Sequence, residues 1–193
     1  MGDVSTSDQQ LIERSLAGQT DAFGVLVTRY EQRLFATLAH MLGSSHEARD
    51  VAQEAFVTAF QKLKTFRQES AFYSWLFRIA YNTAVSRCRR RRETPGSVEQ
   101  LRESTGEEPT DDRVDSDPAH RLHTAERQTL VQTALDELAE DYRTALVLRE
   151  IEELSYEEIA HIVGCPVGTV RSRIHRARME LREKLARALA SEL

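Results

Sequence analysis

Cysteine is scarce in this 193-residue chain: Cys88 and Cys165 stand 77 positions apart, with no CxxC and no paired histidine beside either. That count excludes a disulfide framework, the spacing argues against a zinc site, and the usage suits a reducing cytoplasm. Eight glycines and four prolines are too few for a fibrous or low-complexity chain. No apolar run approaches the roughly 18–20 residues that a membrane span needs. Residues 1–10 are polar and slightly acidic, unlike a signal or transit peptide, although Met1–Thr6 has the bare form of an N-myristoylation pattern. Also missing are a Gly-rich phosphate loop, a nucleophile elbow and an HExxH helix. The nearest approaches to catalytic or metal pairs are Asp50 with Glu54 and His120 with His123, which on an exposed helix or a linker are more often solvated. An enzyme is the least expected class, and neither cofactor nor metal is expected.

Charge is plentiful but unevenly placed. The net value of −5 is the sum of −4 over residues 1–60, +8 over 61–92, −10 over 93–141 and +1 over 142–193. An acidic pI of 5.7 therefore does not argue against a polyanion partner, because the basic charge is concentrated.

Nearly every periodic stretch has helical spacing. Leu11, Ile12 and Leu16, then Phe23, Leu26, Val27, Tyr30 and Leu34, recur at three and four as one buried face would, and Leu38 and Met41 continue the stripe to Gly43-Ser44-Ser45. A third segment, 46–63, sets Val51, Ala55, Ala59 and Leu63 in one row with Ala52, Phe56 and Phe60 beside it. A fourth, from about Ser70 to Arg92, puts Leu76, Ile79, Ala80 and Thr83 on one face. Between Glu93 and about His120 breakers and like charges replace the periodicity, and too little apolar surface is left to offset ordering entropy. The expected fold is all-α, with two small helical domains, 1–92 and 121–193, joined by a flexible acidic linker, 93–120.

In the second domain Ser155-Tyr156-Glu157-Glu158 reads as a capping box. The short helix it starts should stop at Val163-Gly164-Cys165-Pro166, where Gly164 can take positive φ and Pro166 suits a helix start. The next helix should bury Val167, Val170, Ile174, Ala177 and Leu181. Small Ala160, then Gly164, then Val170 is the spacing of a helix-turn-helix. The face opposite that stripe carries Gly168, Ser172, His175, Arg176 and Met179, flanked by Arg171 and Arg178 on one side and Thr169 and Arg173 on the other. Long donors near the N-terminal end of such a helix reach base edges in a major groove, and flanking arginines and hydroxyls reach phosphates. An ordinary solvated basic face would look similar on charge alone. The capping box and turn chemistry favour DNA binding, while the pattern leaves His175 open between surface residue and base contact.

The first domain ends differently. Six of the 13 aromatics, Phe66, Phe72, Tyr73, Trp75, Phe77 and Tyr81, fall within 16 positions, and Arg87 and Arg89–Arg92 follow. Aromatic faces beside cations can stack unpaired bases at about 1–3 kcal/mol each. Trp75, Arg78 and Asn82 share a helical stripe that could offer stacking, charge and amide hydrogen bonds to one extruded base. Composition equally allows Phe72, Leu76 and Phe77, and Trp75 with them, to be core.

Two long motifs then make the resemblance specific. Residues 50–56 (DVAQEAF) with 70–84 (SAFYSWLFRIAYNTA) resemble region 2 of extracytoplasmic-function sigma factors, and 154–160 (LSYEEIA) with 165–174 (CPVGTVRSRI) resemble their region 4. The detail is nearest to the envelope-stress, sigma-E branch. The resemblance implies a bacterial, cytoplasmic initiation subunit that binds core RNA polymerase and directs it to promoters. It implies that Thr169, Arg171, Ser172, Arg173, His175, Arg176 and Arg178 face the −35 element as duplex; the sigma-E branch commonly has an aromatic where this chain has His175. It implies that Phe66, Tyr73, Trp75, Arg78 and Asn82 hold the −10 element as single strand. Asp50, Gln53, Glu54 and Phe56 match the segment that docks on the β′ coiled coil, with region 4 on the β flap. A membrane-anchored anti-sigma factor and a stress-linked role are implied too, and the acidic linker could mimic nucleic acid within polymerase. Two competing readings are a DNA-binding regulator that never enters polymerase, which leaves the aromatic-basic segment unexplained, and a sigma mimic that binds only an anti-sigma factor, which has no need of a DNA face.

Overall fold

The computed structural model describes residues 6–93 and 118–191, with side chains over 6–90 and 126–190. Among the described residues there are eight α-helices and no strand: α1 (Asp8–Leu16), α2 (Thr20–Leu42), α3 (Ser45–Lys62), a 3-10 turn (Leu63–Thr65), α4 (Phe72–Glu93), α5 (Pro118–Asp136), α6 (Glu140–Glu150), α7 (Tyr156–Val163) and α8 (Val167–Ser191). The fold is all-α. Described residues group into two compact units, drawn from Met1–Ala36 with His46–Glu103 and from Thr37–Ser45 with Ser104–Leu193. Most of the acidic segment expected to be a linker, residues 94–117, lies outside the described residues. No described helix is long and apolar enough to cross a membrane.

The first unit starts with a capping box. Ser7 Oγ accepts from the backbone N–H of Gln10, and the Gln10 side chain accepts from the backbone N–H of Ser7. Asp8 accepts from both Arg29 and the Tyr30 hydroxyl, which ties α1 to α2. Burial, then the bond to Asp8, pushes the Tyr30 phenol up to about 12. The core of this unit holds Leu11, Leu26, Leu34, Val51, Ala55, Leu76 and Phe77, each almost wholly buried.

Two expected core positions are exposed instead. Leu16 is 45% exposed and Phe60 43%. Each i to i+4 step rotates by about 40° around an α-helix, so a row of fours drifts off the buried face. In α3 the drift runs from buried Ala52 through Phe56 to Phe60, and in α1 it carries Leu16 outward. Ser15 takes the inward place there, and its hydroxyl, donating to the Leu11 carbonyl at 2.7 Å, satisfies the buried oxygen.

In the second unit α8 is the centre: α5, α6 and α7 all pack on it. Leu135, Leu138, Leu146 and Ala177 form one cluster, with Tyr142 and Leu181 against it. Helix α5 begins at Pro118, three residues before the periodicity resumes, with proline in the first helical position where no N–H is needed.

Candidate nucleic-acid interface

The turn that aims α8 is built as its sequence indicates. Ser155 Oγ accepts from the Glu158 N–H at 3.2 Å, and the Glu158 carboxylate accepts from the Ser155 N–H at 2.8 Å. The Ser155 N–H, and then the Ser155 hydroxyl that donates to the same oxygen at 2.8 Å, hold the Glu158 carboxyl below its ordinary range. Gly164 closes α7 at φ 69, a left-handed conformation that a Cβ would disfavour. Pro166 sits just ahead of α8, its carbonyl accepting from the N–H groups of Thr169 and Val170. Val170, Ile174 and Ala177 are buried at 0–1%, which fixes the rotation of α8. Arg171, Ser172, His175, Arg176 and Met179 consequently lie exposed on the opposite face.

Helix α6 supplies partners to three of the four arginines. Arg176 donates to the Tyr142 hydroxyl at 3.1 Å. Arg178 donates through Nε, at 3.0 Å, and through Nη2 to one Glu150 oxygen. Arg173 pairs with Asp141 and reaches Cys165 Sγ at 3.7 Å. Hydrogen bonding raises the pKa of Arg176 (through Tyr142) and of Arg178 (through Glu150), favouring the cations. Arg171 and Arg149 both approach the Tyr156 ring, at 5.9 and 5.5 Å from its centre, within cation–π range. Neither Arg149 nor Tyr156 is among the DNA-contact residues expected from sequence, because both lie outside the helix whose charge pattern points to DNA. Arg149 is anchored by donating to the Leu154 carbonyl at 2.8 Å. With Arg171 and Arg178, it makes a group of three cations around one phenol, a surface suited to a polyanion.

In the first unit the aromatics meet as a packed cluster. Phe66 stacks tilted on Trp75 at 5.1 Å and edge-on to Phe72 at 5.8 Å. Tyr73 turns to the other side, towards Tyr30 and Phe77, with the Arg33 guanidinium 4.2 Å above its ring. Trp75 is 8% exposed and Tyr73 5%, so neither offers an open ring face for a base in this conformation. Phe66 and Arg78 are half-buried and Asn82 is exposed. Phe66 leads into a loop where Gln68 has φ 58, a left-handed value rarely taken by a side-chain-bearing residue. The side chains of Arg91 and Arg92 lie outside the described residues, as do those of His120 and His123.

The expected docking segment divides in the same way. Gln53 and Glu54 are exposed on α3, Asp50 is half-buried and pairs with Arg87 at 3.1 Å, and Phe56 is buried at 8%. Val57, 58% exposed, lies one turn on from Gln53 and was not singled out from the sequence. Among the described residues no group of three His, Cys, Asp or Glu side chains could hold a metal.

Known proteins resemble this chain over most of its length. The family described as Sigma-70 region 2 matches residues 26–94, and Sigma-70, region 4 matches 128–181. The RNA polymerase sigma-H factor of Pseudomonas aeruginosa is 45% identical over 175 residues, covering 89% of this chain and 90% of that protein. The ECF RNA polymerase sigma-E factor of Escherichia coli K12 is 41% identical over 181 residues, 93% and 94% of the two chains. Among solved structures, the sigma factor RpoE in complex with the anti-sigma factor NepR, from Bartonella quintana, matches with TM-score 0.69 and 30% identity over 85% of this chain and 96% of that one. CnrH in complex with the cytosolic domain of CnrY matches with TM-score 0.65 and 29% identity, covering 93% and 97%.

Proposed function

Because the chain belongs to the sigma-70 family of sigma factors, of the extracytoplasmic-function type and without catalytic activity of its own, we propose that it binds core RNA polymerase and opens promoters by reading two separated elements. In this reading α8 enters the major groove of the −35 element, with Arg171, Ser172, His175 and Arg176 towards base edges. Thr169, Arg173 and Arg178 flank them. The single observation that carries the reading is the exposed Arg171–Arg176 face, held outward by the fully buried Val170, Ile174 and Ala177 behind it.

Region 2 takes the −10 element as single strand. Asn82 and Arg78 are the first contacts, and Phe66 must move off Trp75 before that ring can stack a base, since the two lie 5.1 Å apart in the free chain. Tyr73, buried under Arg33, supports the cluster from behind. Gln53 and Glu54, with Asp50, face the β′ coiled coil, while region 4 sits on the β flap. Phe56 acts from beneath as the packing that holds α3 in place. A stress-linked anti-sigma factor, membrane-anchored in this reading, holds the chain in the cytoplasm until release; in support, RpoE was solved in complex with the anti-sigma factor NepR, and CnrH with the cytosolic domain of CnrY.

Mapping transcript 5′ ends from genomic DNA with purified core polymerase tests the proposal. With the chain added, starts should gather downstream of two spaced elements, and Arg171→Ala/Arg176→Ala should erase the upstream one. Starts as scattered as with core alone would overturn it.

A further inference from the structure

One carboxylate sits among the cations of the candidate DNA face. Arg178 directs two N–H groups at a single Glu150 oxygen, while Arg149 and Arg171 lie over the neighbouring Tyr156 ring. The ion pair is open to solvent, with side chains 51% and 49% exposed. The Arg173–Asp141 pair differs: Arg173 is only 23% exposed and also touches Cys165, so it fastens α8 to α6.

A guanidinium binds carboxylate and phosphate through the same forked geometry. A half-exposed pair is weak enough for an incoming phosphate to displace. We propose that Glu150 stands in for a DNA phosphate in the unbound chain: it holds Arg178 extended at the edge of the recognition face and yields it when a backbone phosphate arrives. Glu150 is thus a positioning residue that lowers affinity for arbitrary DNA, since every sequence must displace it while only the right one adds base contacts. This inference rests on the reading of α8 as a DNA-binding helix.

The test uses the full chain and a short fluorescein-labelled duplex of mixed sequence, titrated by anisotropy from low to moderate salt. Glu150→Gln, an exposed substitution, should tighten binding by up to about fivefold, the worth of an exposed ion pair. The slope of log K against log salt should stay as in the wild type, because Arg178 neutralises the same phosphate in both complexes once Glu150 has yielded it. In an Arg178→Gln background the gain should vanish. No gain, or a gain undiminished without Arg178 (the signature of a general field effect), would overturn the role of Glu150. The underlying reading is checked separately: Arg171→Ala/Arg176→Ala must weaken binding. If that variant binds like the wild type, or the wild type fails to bind at low salt, the DNA-reading assignment falls and the inference with it.

Discussion

Replacing Ser155 by alanine removes one oxygen and its two hydrogen bonds, and loosens a third. The Oγ accepts from the Glu158 N–H at 3.2 Å and donates to Glu158 Oε2 at 2.8 Å, and its loss frees the carboxylate that caps the Ser155 N–H. Helix α7 has only eight residues, too few to stand alone, and it persists because Ile159 and Ile162 are buried in the second unit. Loss of an N-cap of this kind costs about 1–2 kcal/mol. Amide exchange over α7 in the full chain, corrected for intrinsic rates, should therefore accelerate about 5- to 30-fold at neutral pH. The pH dependence carries a sign. The Glu158 carboxyl is held below its ordinary range by Ser155, so its contribution is complete above the unfolded value of about 4.3 and is lost as pH falls through the lower folded value. The gap between wild type and Ser155→Ala should narrow in acid. Equal exchange at neutral pH, or a gap that widens in acid, would refute the cap as the organiser of this turn.

Other substitutions separate folding from contact. Ile174→Ala, beneath the recognition face at 1% exposure, should cost about 2–5 kcal/mol and abolish duplex binding, read by circular dichroism melting and anisotropy. Asn82→Ala should leave urea denaturation unchanged while weakening single-stranded −10 DNA binding by the holoenzyme, whereas Trp75→Ala should lower stability by about 3–5 kcal/mol, because its ring is packed against Phe66 and Phe72. Tyr30, raised from 10.0 to about 12 chiefly by burial, contributes stability that is complete below pH 10 and lost as pH rises towards 12; Tyr30→Phe should flatten that alkaline decline in denaturation midpoints.

The helix-turn-helix was readable from sequence because its signals are local. A capping box, a left-handed glycine and an apolar stripe spaced by threes and fours each act within one or two turns, and each is found at the residue that carries it. The capping box at Ser7–Gln10 had the same signature in Ser-x-x-Gln and could have been read the same way. The aromatic segment was harder because composition does not say which way a ring points. Trp75 and Tyr73 lie two residues apart and pack to different partners, Phe66 and Phe72 on one side and Tyr30 and Phe77 on the other. The same limit applies to Phe56 and Phe60, whose exposures are set by the drift of α3 across the bundle. The acceptors on α6 were invisible for another reason. Asp141, Tyr142 and Glu150 meet Arg173, Arg176 and Arg178 across 28 to 34 residues, a pairing that only packing reveals.

Fluorescence anisotropy of the labelled full chain against purified bacterial core polymerase decides whether the chain is an initiation subunit. Gln53→Ala/Glu54→Ala is the suitable partner variant, since both side chains are exposed and their loss leaves the core intact, as removal of buried Phe56 would not. Tight binding by the wild type is expected, weakened about tenfold or more in the variant, an affinity loss of at least 1.4 kcal/mol. No binding at micromolar core, or equal binding by wild type and variant, would contradict that role.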